Sequence, residues 1–130
     1  MPRRYLIFAA AAALTGVCVH MMKFAVERQR PYTFFLEDFL AEKVRINCLF
    51  KTYVAQNSFP SGHAALVFVT AVILHRLYGK RLWVLYPLAF LIAFSRIYVG
   101  AHFPSDVLAG ALIGIVVGLI FSKKVLWKSV

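Results

Sequence analysis

The apolar residues of this chain fall into four long runs, and its polar residues gather where the runs meet. Behind Arg3 and Arg4, the eighteen residues from Tyr5 to Met22 carry no formal charge. That is enough for a helix to cross a bilayer, which takes about 17 to 25 residues. A second run, from about His63 to Tyr78 and most apolar over Ala64–Leu74, follows Pro60, which suits a first helical position, with Ser58 placed to cap it. His75, Arg76, Lys80 and Arg81 then make a short basic turn around Gly79. The third run extends from near Leu82 to Tyr98, with Pro87 predicted to kink it, and the fourth from Pro104 to Phe121, ahead of Lys123 and Lys124. Between the first two runs, Lys23 to Phe59 is amphiphilic. Apolar Phe35, Phe39 and Leu40 set against Asp38, Glu42 and Arg45 fit a short helix lying in the membrane interface, and equally a solvated loop.

The composition sharpens this picture. Hydrophobic residues make up 62% of the 130 positions, where soluble domains average roughly 45 to 50%. The pattern predicts an all-α polytopic membrane bundle of about four transmembrane helices, with residues 1–130 as a single domain. An Arg-rich start and an Ala-rich core would also suit a cleaved signal peptide. Ala9 to Ala13, however, lie inside the apolar core, and Val17 before Cys18 suits lipoprotein processing poorly, so a retained span is expected.

The net charge of +10 is spread over the ends of apolar segments, which disfavours nucleic acid and favours lipid headgroups or phosphate. With the amino terminus in the cytoplasm, eight of the 15 basic residues and none of the five acidic ones lie on that side. The opposite side keeps seven basic residues, more than an orientation rule based on Lys and Arg explains. A phosphate site there would account for the excess. Cys18 and Cys48 lie in different settings and belong to no CxxC or ligand-like spacing, so neither a disulfide nor a metal site is expected. Gly110, Gly114 and Gly118 recur every four residues and predict close helix packing. Trp83, Tyr86 and Trp127 read as interfacial belt residues, and His75 as part of the basic turn.

Three clusters of chemistry-bearing residues fall on the outer side. Lys23, Glu27 and Arg30 would share a face if the first helix continued past the membrane, aiming two cations at one anion. Pro60, Ser61, Gly62 and His63 open the second run. Unpaired N–H groups at a helix start favour an anion, Gly62 permits close approach, Ser61 adds a hydroxyl and His63 can exchange a proton. In the stretch from Ser95 to Asp106, Arg96 can fork onto a phosphate oxygen and His102 precedes Asp106 by four residues. A carboxylate accepting from one ring nitrogen would fix the tautomer and leave the other nitrogen nucleophilic. His20, near the outer end of the first run, is expected to be packed or hydrogen-bonded.

In order, spacing and side, the three clusters resemble the type 2 phosphatidic acid phosphatase (PAP2) family. Its pattern is Lys, six residues, Arg-Pro; then Pro-Ser-Gly-His; then Ser-Arg, five residues, His, three residues, Asp. Here it reads Lys23, Arg30, Pro31; Pro60, Ser61, Gly62, His63; and Ser95, Arg96, His102, Asp106. The resemblance implies a metal-independent, cofactor-free lipid phosphate phosphatase. It casts His102 as the nucleophile forming a phosphohistidine, Asp106 as its orienter and His63 as the acid that protonates the leaving oxygen. Lys23, Arg30, Ser61, Gly62 and Arg96 would hold the phosphoryl oxygens. Expected substrates are undecaprenyl diphosphate, phosphatidylglycerophosphate, phosphatidic acid or a lipid A phosphate, met at the periplasmic or extracellular face of the cytoplasmic membrane. Membrane members of the family commonly have six spans, so the first two would here be absent, unneeded or supplied by a homo-oligomer, or the chain is a fragment. A noncatalytic anion-binding membrane protein and a relative of the vanadate-dependent haloperoxidases are the rival readings.

Overall fold

The computed structural model describes residues 2–31, 33 and 57–127. The predicted interfacial helix over Phe35 to Arg45, and Cys48, lie outside them. The described residues form four helices: α1 (Pro2–Val26), α2 (Gly62–Tyr78), α3 (Leu85–Tyr98) and α4 (Pro104–Trp127), with a 3₁₀ segment at Lys80–Val84 leading into α3. The chain is an all-α membrane bundle. Arg4–Val26, Lys80–Tyr98 and Pro104–Lys123 are long and apolar enough to cross a membrane, whereas α2, at 17 residues, is shorter.

This shorter helix is the centre of the bundle, packing against α1, α3 and α4. Its Ala64, Ala65, Val69, Ala71, Val72 and Ile73 are all buried. On α4 the glycine stripe faces α2, and a Cβ placed on Gly110 or Gly114 would stand 2.2 Å from the carbonyl oxygen of Ser61 or Ala65. One on Gly118 would stand 2.8 Å from Val72 Cβ. Only glycine allows the two backbones this close, which is how helices gain contact where lipid removes the hydrophobic incentive to associate. The opposite face of α4 is bulky and exposed, with Leu108, Leu112, Val116 and Ile120 at four-residue spacing. Small residues inward and large apolar residues outward suit hydrocarbon as the surrounding solvent.

The helix ends differ from the sequence expectation in four places, the first two of which shape the site. First, α1 stops at Val26. Glu27 has φ 45°, and its N–H donates to Lys23 O at 3.2 Å, a left-handed cap that turns the chain off the helix axis. Arg30 therefore does not share a helical face with Lys23 and returns toward it through a loop. Second, α2 is capped by Ser61, whose hydroxyl accepts from Ala64 N, rather than by Ser58, and Pro60 precedes the helix. Third, Pro87 sits in the first turn of α3, after the 3₁₀ segment, where no mid-helix hydrogen bond is lost. It is not a kink within a continuous helix. The last run also extends beyond Phe121, to Trp127.

At the end of α2 remote from the three clusters, Gly79 takes φ 91° and caps the helix through an N–H bond to His75 O. His75 Nδ1 lies 3.1 Å from the Tyr86 hydroxyl, so both residues are partners in joining α2 to α3. Trp83 beside them is exposed.

Candidate active site

Three chain segments converge where α1 ends and α2 and α4 begin. The turn after α3 delivers the histidine. Gly100 has φ 71°, and the Arg96 carbonyl accepts from both Ala101 N at 3.1 Å and His102 N at 3.2 Å, folding the chain back toward α4. Phe103 then precedes α4, and the carboxylate of Asp106 reaches back to accept from Phe103 N at 2.8 Å, half of a capping box. The carbonyl of Asp106 accepts from Ser61 N at 2.9 Å, locking the start of α4 to the start of α2.

His102 is 4% exposed. Its Nδ1 lies 2.7 Å from the Ser58 carbonyl, and because a carbonyl can only accept, Nδ1 carries the proton. In the neutral ring Nε2 then holds the lone pair. The spacing in sequence predicts that Asp106 accepts from the ring, but its Oδ2 is 3.9 Å from Nδ1, beyond hydrogen-bond reach. Burial, opposed by the Ser58 hydrogen bond and reinforced by the positive charges of Arg30 and Lys23, lowers the His102 pKa from 6.5 to about 4. The ring is thus neutral and able to act as a nucleophile across the physiological range.

Further cations gather at the ends of α1 and α3. Lys23, at the end of α1, donates from Nζ to the Asn57 carbonyl while Asn57 Nδ2 donates to Lys23 O at 2.9 Å, a reciprocal clasp. The Arg96 Nε is buried and has no hydrogen-bond partner among the described residues, the state of a donor awaiting an anion. Lys23, Arg30, Gly62 and His63 line one end of a cavity of about 370 Å³ that continues between α1 and α2. Ser61 and Asp106 are fully buried and serve as framework beside it, whereas His63 is exposed to the cavity. Asp106, Ser61, Arg96 and His102 do not line that cavity.

Two contributors are not evident in the sequence pattern. Arg28 donates to Asp106 Oδ1 at 2.9 Å and to Ser105 Oγ at 2.8 Å, and its guanidinium lies 4.2 Å over the Phe103 ring. It is the counter-ion that a fully buried carboxylate requires. The need for such a partner, met by an unassigned arginine two residues before Arg30, is the signal that could have found it. Ser58, in sequence a candidate helix cap, has a different part. It donates from N to Arg28 O at 2.7 Å and from Oγ to Gln29 O at 3.0 Å, and so stitches the turn after α1 to the carbonyl that holds His102.

The chain is similar to known proteins. Over 93 residues the chain is 37% identical to an undecaprenyl-diphosphatase of Sulfolobus acidocaldarius, covering 71% of this chain and 41% of that protein. It is 35% identical over 123 residues to a decaprenylphosphoryl-5-phosphoribose phosphatase of Mycobacterium tuberculosis, covering 92% and 62%. The chain thus spans less than two-thirds of the length of these relatives. The crystal structure of Aquifex aeolicus LpxE superposes with a TM-score of 0.72 at 34% identity, covering 95% of this chain and 69% of that one. The family model of the PAP2 superfamily matches residues 4–129, and with helices, cationic cradle and histidines falling within that single match, the chain belongs to the PAP2 superfamily.

Proposed function

We propose that this protein is a metal-independent lipid phosphate phosphatase with His102 as its nucleophile. The observation that carries the reading is the Ser58 carbonyl on Nδ1 of a buried, neutral His102, which leaves the Nε2 lone pair free on a ring that feels the charges of Arg30 and Lys23. Nε2 attacks the substrate phosphorus. The bond from phosphorus to the lipid oxygen breaks, its electron pair stays on that oxygen, and His63 supplies the proton. Lys23, Arg30 and Arg96, with the Gly62 N–H at the start of α2, stabilise charge on the phosphoryl oxygens, while Ser61 holds that helix start through its N–H bond to Asp106 O. Water, giving its proton to His63, then attacks the phosphohistidine, releasing phosphate and restoring the neutral ring. Asp106 holds the loop in place with Arg28.

The substrate is a lipid whose phosphate sits at headgroup level, since the cradle lies at the ends of the helices rather than along them. The names of the relatives, an undecaprenyl-diphosphatase and a decaprenylphosphoryl-5-phosphoribose phosphatase, support the polyprenyl class. The basic residues at the opposite helix ends support a cytoplasmic-membrane protein whose site faces the periplasm or exterior.

Phosphate release from a panel of polyprenyl diphosphate, phosphatidylglycerophosphate, phosphatidic acid and lipid A tests the activity. His102→Ala is expected to lower release from the best lipid on the order of 10³-fold or more. Wild-type release from that variant would remove the nucleophile assignment, and wild-type protein that binds vesicles without releasing phosphate would favour a noncatalytic anion-binding role. For orientation, a cysteine at Val99, exposed at the site end, should react with membrane-impermeant reagents outside the cell, in a background lacking Cys18 and Cys48. Reaction only with reagents that reach the cytoplasm would reverse the topology.

A further inference from the structure

The cavity at the cradle does not end at the phosphate-holding groups. From Lys23 and Arg30 it continues down the seam between α1 and α2, past His20, to an apolar floor at Gly16, Val19 and Leu66. A Cβ built on Gly16 would meet nothing within 4 Å, so the cleft stays open there. The sequence predicts a packed or hydrogen-bonded His20. It is instead exposed, makes an edge contact with Phe24 at 6.0 Å between ring centroids, and has no hydrogen-bond partner among the described residues. It precedes Lys23 by three residues, about 4.5 Å along a helix axis and toward the membrane interior. The cavity therefore presents a cationic cradle, then His20 a helical step deeper, then mostly apolar space, in which the hydroxyl of Thr15 is already donated to Ala11 O at 2.8 Å.

That order matches one chemical class. In a monoester, the atoms beyond the reacting phosphoryl group are the ester oxygen that His63 serves and a carbon, which call for no second donor. In a lipid diphosphate they are a second phosphoryl group, joined through one bridging oxygen and followed by an apolar chain. We propose, resting on the phosphatase reading above, that the cleft between α1 and α2 holds the leaving group of a lipid diphosphate, with His20 donating a hydrogen bond to its membrane-side phosphate. His102 Nε2 attacks the outer phosphorus, the bond from that phosphorus to the bridging oxygen breaks, and the electron pair remains on the bridging oxygen, which takes the proton from His63. The product is a lipid monophosphate whose remaining phosphate rests against His20 and whose chain lies along Gly16 and Leu66. His20 is then a specificity-determining residue, because an unpartnered phosphate at the hydrocarbon boundary is costly.

The test compares a polyprenyl diphosphate with the polyprenyl monophosphate of the same chain length in detergent micelles, using wild type, His20→Ala, His20→Gln and Gly16→Leu, each checked by thermal melting. A hydrogen bond to a charged group predicts that His20→Ala lowers the diphosphate-to-monophosphate ratio of kcat/KM about 10- to 100-fold, with most of the ratio restored by His20→Gln, which keeps a donor. Gly16→Leu, filling open space, should raise KM for both lipids several-fold at an unchanged melting temperature. An unchanged ratio in His20→Ala, or equal losses on both lipids, overturns the role of His20, and an unchanged KM in Gly16→Leu overturns the path of the chain. In either case wild-type turnover would leave the phosphatase reading standing. Wild-type protein that releases phosphate from neither lipid would instead remove that reading and this inference together.

Discussion

Gly110→Ala tests whether the seam between α2 and α4 sets the geometry of the site. The added Cβ would stand 2.2 Å from the Ser61 carbonyl oxygen, 3.1 Å from its carbon and 3.2 Å from Ala64 Cβ. Real Cβ contacts essentially never fall below 3.0 Å, so the seam must open by at least the 0.8 Å difference between 3.0 and 2.2. The obstructing atoms are backbone and cannot rotate away. The same opening acts on the 2.9 Å bond from Ser61 N to Asp106 O, which would lengthen past hydrogen-bonding range. It also displaces the Gly62 N–H at the start of α2. Misplacement of about 1 Å can cost on the order of 10²-fold in rate, and that loss is expected in kcat/KM. Overpacking costs about 1 to 3 kcal/mol, against a gain of about 0.5 to 1 kcal/mol from replacing a helical glycine, so the variant should still fold. Gly118→Ala is the comparison, since its Cβ meets the Val72 side chain at 2.8 Å far from the cradle. Phosphate release normalised to folded protein, with melting curves for both variants, decides the matter. Gly110→Ala within threefold of wild type, or Gly118→Ala equally impaired, would refute the geometric argument.

Four further outcomes follow from the site. Arg28→Ala leaves the buried Asp106 without its counter-ion and should cost about 3 kcal/mol in denaturation experiments, with only partial recovery in Arg28→Lys, because a point charge cannot match the fork to Ser105 and Asp106. Ser58→Ala should lose only the bond from Oγ to Gln29 O, about 1 kcal/mol, and keep near-wild-type turnover because the carbonyl on His102 remains. Nitrogen-15 NMR of the His102 ring should show a neutral ring protonated at Nδ1 down to near pH 4. The folded ring takes a proton near 4 and the unfolded one near 6.5, so stability, of about 3 kcal/mol in full, is present above 6.5 and lost as pH falls between those values. Protonation of the folded ring near 6.5 would contradict this environment. Asp106→Asn should leave the Nδ1–H tautomer unchanged while lowering the melting temperature, whereas a switch to Nε2–H would restore the carboxylate as the orienting group.

The bundle was legible because its determinants are properties of side chains along the chain. Apolar runs predict the helices, and the four-residue recurrence of Gly110, Gly114 and Gly118 predicts a close-packed face on α4, whose partner in the fold is α2. The outer clusters were legible through spacing alone, since Lys23, His63, Arg96 and His102 are ionisable types at helix ends. What the sequence concealed lies in the backbone. Extending a helical wheel from Lys23 to Arg30 assumes that α1 continues, but Glu27 at φ 45° ends it and places Arg28, rather than Glu27, beside the fourth helix. Glutamate is not a residue type that announces a left-handed turn. Ser58 likewise draws attention for its hydroxyl, while the atom that matters is a carbonyl that every residue possesses.

That carbonyl changes how the proposed nucleophile, His102, is controlled. A carboxylate on Nδ1 would hold the tautomer and would also stabilise the imidazolium strongly, drawing the ring toward protonation. A neutral carbonyl fixes the same tautomer with a weaker pull, so burial and the nearby Arg30 and Lys23 can keep the resting ring unprotonated. Asp106, at 3.9 Å and already neutralised by Arg28, still raises proton affinity, but as a minor contribution among those acting on the ring. The aspartate is thereby free to act mechanically. Its Oδ2 holds Phe103 N, its Oδ1 holds Arg28, and its carbonyl holds Ser61. The four-residue spacing of His102 and Asp106, which suggests a dyad in sequence, is in three dimensions a buried imidazole beside the clamp that joins the starts of α2 and α4. Arg28 acts on His102 along the same path, through Asp106 and through the Ser58 N–H that its own carbonyl accepts. The turn after α1 is therefore as much part of the support of His102 as the residues flanking it in the chain.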